Sequence, residues 1–120
     1  MKSSGFDPKA DVFDALAHPL RLKILEKLRR GPCCVCKIIP YVGGEQSNVS
    51  HHLAILKRAG IIDSEKHGLE VRYEIANPAI IQIIDLLDKY ILANFKQKND
   101  LLKSFVKTNQ MNFRVQSKKF

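Results

Sequence analysis

A chain of 120 residues has room for one compact domain and too little for two; with 45% apolar and 27% charged residues, its composition is globular and excludes wholesale disorder. Twenty Lys and Arg against 12 Asp and Glu give a formal charge of +8, which points to a polyanionic partner. No run of about 18 apolar residues marks a membrane span, and residues 1–5 lead into no signal-peptide core, so a soluble, cytoplasmic protein is expected.

The charge is uneven. Residues 1–95 carry 13 basic and 11 acidic side chains, whereas residues 96–120 carry seven basic ones and only Asp100. A solvated basic tail accounts for that excess as well as phosphate contact does. Net charge alone therefore establishes no DNA binding.

Asp7 and Pro8 open a first helix through Val12, Phe13 and Leu16. His18-Pro19 restarts the chain, and Leu20, Ile24, Leu25 and Leu28 form the apolar stripe of a second helix that Gly31-Pro32 ends. A third helix is expected over residues 34–42. Pro40 removes a donor there and meets the carbonyl of Cys36, so this helix is read as kinked or as little more than one turn. After the turn signal Gly43-Gly44, a fourth helix starts at Gln46, carries Val49, Leu53, Ile55, Leu56 and Ala59, and stops at Gly60.

Two strands follow, over residues 61–66 and 69–75, joined at His67-Gly68. In the second, Leu69, Val71, Tyr73 and Ile75 are expected to face inward and Glu70, Arg72 and Glu74 outward. Asn77-Pro78 caps a long last helix with Ile80, Ile83, Ile84, Leu87, Ile91 and Leu92, which Leu101, Leu102, Phe105 and Val106 extend or follow. The expected fold is mainly α with a small β-hairpin, an α+β winged helix-turn-helix domain over residues 1–106. A basic flexible tail over residues 107–120 completes it.

Cys33, Cys34 and Cys36 are the only cysteines. An odd number within four residues is no disulfide framework. Thiolates bind zinc, cadmium, lead, copper(I) or arsenite, or act as redox-reactive nucleophiles; buried small hydrophobes are the plainer alternative. Arg29, Arg30 and Lys37 flank the cluster, and nearby cations favour the thiolate.

A helix-turn-helix followed by a hairpin is a winged helix, whose second motif helix enters the major groove. Gln46, Ser47, Asn48, Ser50 and His51 are the polar residues at the leading end of that helix. Lys57 and Arg58 lie further along it, and Lys66, His67 and Arg72 in or beside the wing. These residue types donate to phosphates and base edges. Residues 45–72 balance four basic against four acidic side chains, so charge would not have located this surface.

The runs Ala15-Leu16-Ala17-His18-Pro19-Leu20-Arg21-Leu22-Lys23-Ile24-Leu25, Cys34-Val35-Cys36-Lys37-Ile38 and Gln46 through Ile62, with the wing over residues 68–75, resemble the ArsR/SmtB family of metalloregulatory repressors. The match spans residues 12–78. The resemblance implies a homodimeric winged-helix repressor that binds double-stranded operator DNA and lets go when an inducer binds. It places Ser47, Asn48, Ser50 and His51 against DNA and assigns the inducer motif to Cys34 and Cys36. The chain departs from the pattern in three ways. Lys37 stands where the motif has an acidic residue, Ile39 where the best-known arsenite sensors have a third cysteine, and Cys33 is extra.

Arsenite and antimonite favour three thiolates, so As(III) or Sb(III) on Cys33, Cys34 and Cys36 is the expected inducer; no obligatory cofactor is implied. Adjacent helical residues point about 100° apart, so three sulfurs converge only if the segment unwinds, and that would favour a conformation that fits DNA badly. Cd(II), Pb(II) or Zn(II) is a weaker expectation. The resemblance implies N-terminal-arm cysteines for a cadmium-type site, and residues 1–32 contain none; it implies His and carboxylates on the last helix for zinc and nickel sensors, and that helix has Asp85 and Asp88 but no His.

The rival reading is a thiol-based redox or persulfide-responsive repressor of the same fold, although a Cys34–Cys36 disulfide would strain a helical backbone. An enzyme is not expected, because no Ser–His–acid set, phosphate loop, zinc-hydrolase spacing or Cys-x-x-Cys is present. No histidine is assigned to metal. His18 reads as a cap or packing residue, and of His51 and His52 one faces outward and one inward. The apolar excess of the last helix, with Val12, Phe13 and Leu16 of the first, calls for an isologous dimer.

Overall fold

The computed structural model describes residues 6–109, with side-chain surroundings described as far as residue 104. Helix α1 (Pro8–Leu16) begins where the Asp7 carboxylate accepts from the Lys9 N–H at 2.9 Å, and Pro8 costs nothing in a first turn whose N–H groups have no partner. Helix α2 (Pro19–Leu28) repeats the device with an imidazole: His18 Nδ1 accepts from the Leu20 N–H at 3.0 Å. The capping role expected of His18 is what the structure has.

A two-residue strand β1 (Cys33–Cys34) leads directly into α3 (Val35–Val42). The third helix is therefore a full two turns, with Pro40 inside it. Proline deletes the bond that would reach the Cys36 carbonyl, yet the helix continues to Gly43, whose N–H donates to the Ile39 carbonyl at 2.9 Å from a left-handed φ of 74° that glycine adopts without steric cost. Helix α4 (Gln46–Arg58) follows after three residues, Gly43, Gly44 and Glu45.

Strands β2 (Ile62–His67) and β3 (Glu70–Ile75) form the wing, in register from Ile62 opposite Ile75 to His67 opposite Glu70. Leu69 lies in the turn and is fully exposed, which corrects the inward orientation expected of it. The sheet has three strands in the order β1-β3-β2, all antiparallel, with Cys33 opposite Tyr73 and Cys34 opposite Arg72. This third strand was not foreseen.

Ile24, Leu25 and Leu28 of α2, Ile38 of α3, Val49, Leu53 and Leu56 of α4, and Ile62 of β2 are buried together. Each such side chain contributes about 1.5–3 kcal/mol by leaving water, and their convergence fixes α4 against α2 and the wing. Helix α5 (Ala79–Asn109) begins after the Asn77 side chain accepts from the Ala79 N–H at 2.9 Å. The chain divides into a unit ending at Gln82 and a second starting at Ile83. Leu101 and Leu102 belong to α5, which passes the expected domain end at residue 106; residues 110–120 of the expected tail lie outside the described residues.

Candidate functional site

The leading end of α4 is a polar, solvent-facing surface. Gln46, Ser47, Asn48, Ser50 and His51 are all exposed, while Val49 and Leu53 on the opposite face are fully buried. Glu45 occupies the N-cap without a side-chain hydrogen bond, so its carboxylate does not occupy the first-turn N–H groups of α4. Such an end is complementary to phosphate. Among the farther basic residues, Lys57 is tied to the wing, its Nζ donating to Ser64 Oγ at 2.7 Å. Arg58 and Lys66 are exposed, and Arg72 Nε lies 3.9 Å from a Glu70 carboxylate oxygen.

A polar joint that sequence periodicity did not reveal sets the attitude of α4. Arg21 on α2 donates from Nε to His52 Nδ1 at 3.1 Å and from Nη1 to the carbonyls of Asp14 and Ala15 at 3.2 and 3.0 Å. One guanidinium thus fastens α1, α2 and α4. The His18 and His52 rings lie 4.2 Å apart, and His51 meets His52 edge-on at 5.2 Å. His52 is buried and His51 exposed, the division the sequence suggests. Burial first, then the charges of His18, Arg21 and His51, lowers the His52 pKa below the ordinary 6.5.

The cysteines sit at the β1–α3 junction. Cys34 and Cys36 are joined by a disulfide with their Cα atoms 5.2 Å apart, a separation within the usual range. The expectation that such a bridge would strain a helix assumed that Cys34 is helical. It is instead the extended N-cap of α3, at φ −81° and ψ 159°.

Cys33 is buried, and its Sγ donates to the Cys34 carbonyl at 3.5 Å. Successive residues of a strand point to opposite faces, so the structure does not bring Cys33 to its two neighbours. What it does bring is Glu70 from the wing. Cys34 Sγ, Cys36 Sγ and a Glu70 oxygen lie within 4.8 Å of one another. A concavity of about 300 Å³ adjoins Cys34, with Lys27, Arg30, Lys37 and Arg72 on its walls.

Residues 18–64 match the sequence profile of the family described as "Bacterial regulatory protein, arsR family". The HTH-type transcriptional regulator MJ1325 of Methanocaldococcus jannaschii is 41% identical over 85 residues, 70% of this chain and 96% of the relative. A probable mercury resistance operon repressor of Streptomyces lividans is 32% identical over 80 residues, 67% of this chain and 64% of the relative. Among solved structures, Mycobacterium tuberculosis Rv0081 superposes with a TM-score of 0.71 at 34% identity, covering 75% of this chain and 91% of that one.

Proposed function

The chain belongs to the arsR family of bacterial regulatory proteins, winged-helix DNA-binding transcriptional repressors rather than enzymes, and from that premise we propose that its Cys34–Cys36 pair is the inducer site and that arsenite or antimonite releases it from operator DNA. Carrying this reading is the position of the two cysteines. Cys34 pairs with Arg72 of the wing, and Cys36 lies in the helix that hands the chain to α4. A group that grips both sulfurs acts on both elements of the DNA-reading surface at once.

Reduction of the Cys34–Cys36 disulfide frees two thiolates for As(III), and Cys33 becomes the third only when β1 peels away from β3. Binding through three sulfurs therefore favours a conformation with a loosened wing, and DNA affinity falls by the differential affinity of the inducer for the two states. A Streptomyces relative named for mercury resistance is in keeping with a thiophilic inducer. Cd(II), Pb(II) or Zn(II) would draw instead on Cys34, Cys36 and Glu70. On DNA, Ser47, Asn48, Ser50 and His51 read the groove, with Gln46, Arg58, Lys66 and Arg72 on the backbone. A second copy docks through α5, so that two recognition helices meet half-sites about 34–36 Å apart.

The disulfide favours a second reading, in which oxidation of Cys34 and Cys36 is itself the signal. Fluorescence anisotropy of reduced protein on operator DNA separates the two. Arsenite is expected to release wild type but not Cys34→Ser or Cys36→Ser, both of which still bind DNA; Cys33→Ser responds more weakly if three sulfurs are used. Release by peroxide without any response to arsenite would select the redox reading. Release of the serine variants by arsenite would sink the dithiol as the sensor.

A further inference from the structure

Lys27, Arg30 and Lys37, which wall the concavity beside Cys34, have no part in the DNA reading or the metalloid binding proposed above. Four cations line that concavity, Lys27, Arg30, Lys37 and Arg72, against the single carboxylate of Glu70. Glu70 pairs with Arg72 at 3.9 Å, which leaves Lys27, Arg30 and Lys37 without a carboxylate partner among the described residues. Lys27 and Arg30 lie 5.4 and 5.5 Å from the Tyr41 ring centroid, a cation–π arrangement that steers both side chains. The volume, about 300 Å³, lies at the lower end of the range of small-molecule sites. Cys33 and Cys34 are on its wall and Cys36 is not.

We propose that this cavity binds a small anionic thiol and directs it at the disulfide. The inference builds on the redox form of the reading above, since it concerns the same sulfur pair. The bound thiolate R–S⁻ attacks Cys34 Sγ, forming R–S–S–Cys34 and expelling Cys36 as its thiolate. A second R–S⁻ then attacks the R sulfur, giving R–S–S–R and the Cys34 thiolate. Two electrons pass from two thiolates to the protein disulfide, and no other oxidant or reductant takes part. A cleft walled by one sign of charge concentrates counter-ions and raises encounter rates by roughly 10- to 1000-fold. Thiolate reactivity otherwise follows pKa and access, so the protein's signature is selectivity by the charge of R.

The test uses the oxidised full chain without DNA and three thiols of one skeleton: mercaptoethanesulfonate (anionic), mercaptoethanol (neutral) and cysteamine (cationic). Rates of disulfide opening are expressed per thiolate and divided by those on a short uncharged Cys-Val-Cys disulfide peptide. The sulfonate is expected to be at least about tenfold favoured over the neutral thiol at low salt, the amine disfavoured, and both differences to collapse by about 0.5 M NaCl. Sulfate should compete, and the pair Arg30→Glu and Lys37→Glu should invert the order.

The same order as on the peptide, or a preference indifferent to salt, overturns the proposal. So does failure to isolate the Cys34–Cys36 disulfide. The salt comparison needs no variant and decides the matter if the charge reversals do not fold. Because DNA is absent, a negative result here leaves the inducer reading to its own anisotropy experiment, and a failure there leaves charge selectivity standing.

Discussion

His52 is where the chemistry of one side chain bears on the attitude of the whole recognition helix. Its Nδ1 accepts from Arg21, its ring packs at a tilt against His18, and His51 lies edge-on beside it. Protonation would turn that acceptor into a donor facing a guanidinium. Its pKa is lowered in the folded chain, so below about 6.5 the unfolded chain binds the proton more readily. Stability due to His52 is therefore fully present at higher pH and is lost as pH falls through 6.5 toward the folded value. Urea midpoints measured from pH 7.5 to 5.0 should fall with acidity, by no more than about 1.4 kcal/mol per pH unit for this one group. In His52→Gln, whose amide oxygen can still accept from Arg21, the slope should flatten over the same window. An identical slope in both proteins would assign the acid sensitivity to other residues.

At the scale of elements, the α3–α4 turn makes the sharpest demand. A Cβ on Gly44 would stand 3.1 Å from Val49 Cγ2, and Val49 is fully buried, so Gly44→Ala should cost about 1–3 kcal/mol through overpacking. Val49→Ala removes the obstructing methyls at its own cavity cost. The double variant should then lose less than the two single losses combined, a coupling that chemical denaturation of all four proteins would reveal; strict additivity would deny the contact.

The same comparison of elements shows what the sequence could tell. Helices α2 and α4 were legible because Ile24, Leu25 and Leu28, like Val49, Leu53 and Leu56, recur at helical spacing. Strand β1 was not, because two residues carry no period and their pairing to Tyr73 and Arg72 is set by distant chain. From that one omission came the misplaced Cys34, the strain expected of a Cys34–Cys36 bridge, and the absence of Glu70 from the predicted ligands. Leu69 was assigned to the strand because alternation runs smoothly through it, whereas the turn takes it for its second residue. The joint through Arg21 escaped because a polar contact between residues 21 and 52 leaves no trace in hydrophobic periodicity.

At the scale of the whole molecule, the exposed apolar surface of α5 is where the proposed dimer is put to the test. From Ile83 onward, Leu86, Leu87, Tyr90, Ile91 and Leu92 are each about half exposed or more, and no helix among the described residues is long and apolar enough to cross a membrane. Leu87 and Ile91 stand one turn apart on one face. If a second copy covers them, Leu87→Glu with Ile91→Glu places four like charges in one interface and should yield monomers by sedimentation velocity. The α4 surface is built by residues before Gln82, so each monomer should retain its own weak hold on DNA. Two protomers neutralise twice the phosphates of one, and log affinity falls with log salt in proportion to that number. The charged variant should accordingly bind operator DNA more weakly and with about half the wild-type salt slope. Because the substituted residues are already exposed in the single chain, circular dichroism should change little. Persistence of the dimer would place the subunit contact on some other surface, and a monomer that kept the full slope would mean that one α4 and one wing supply every phosphate contact.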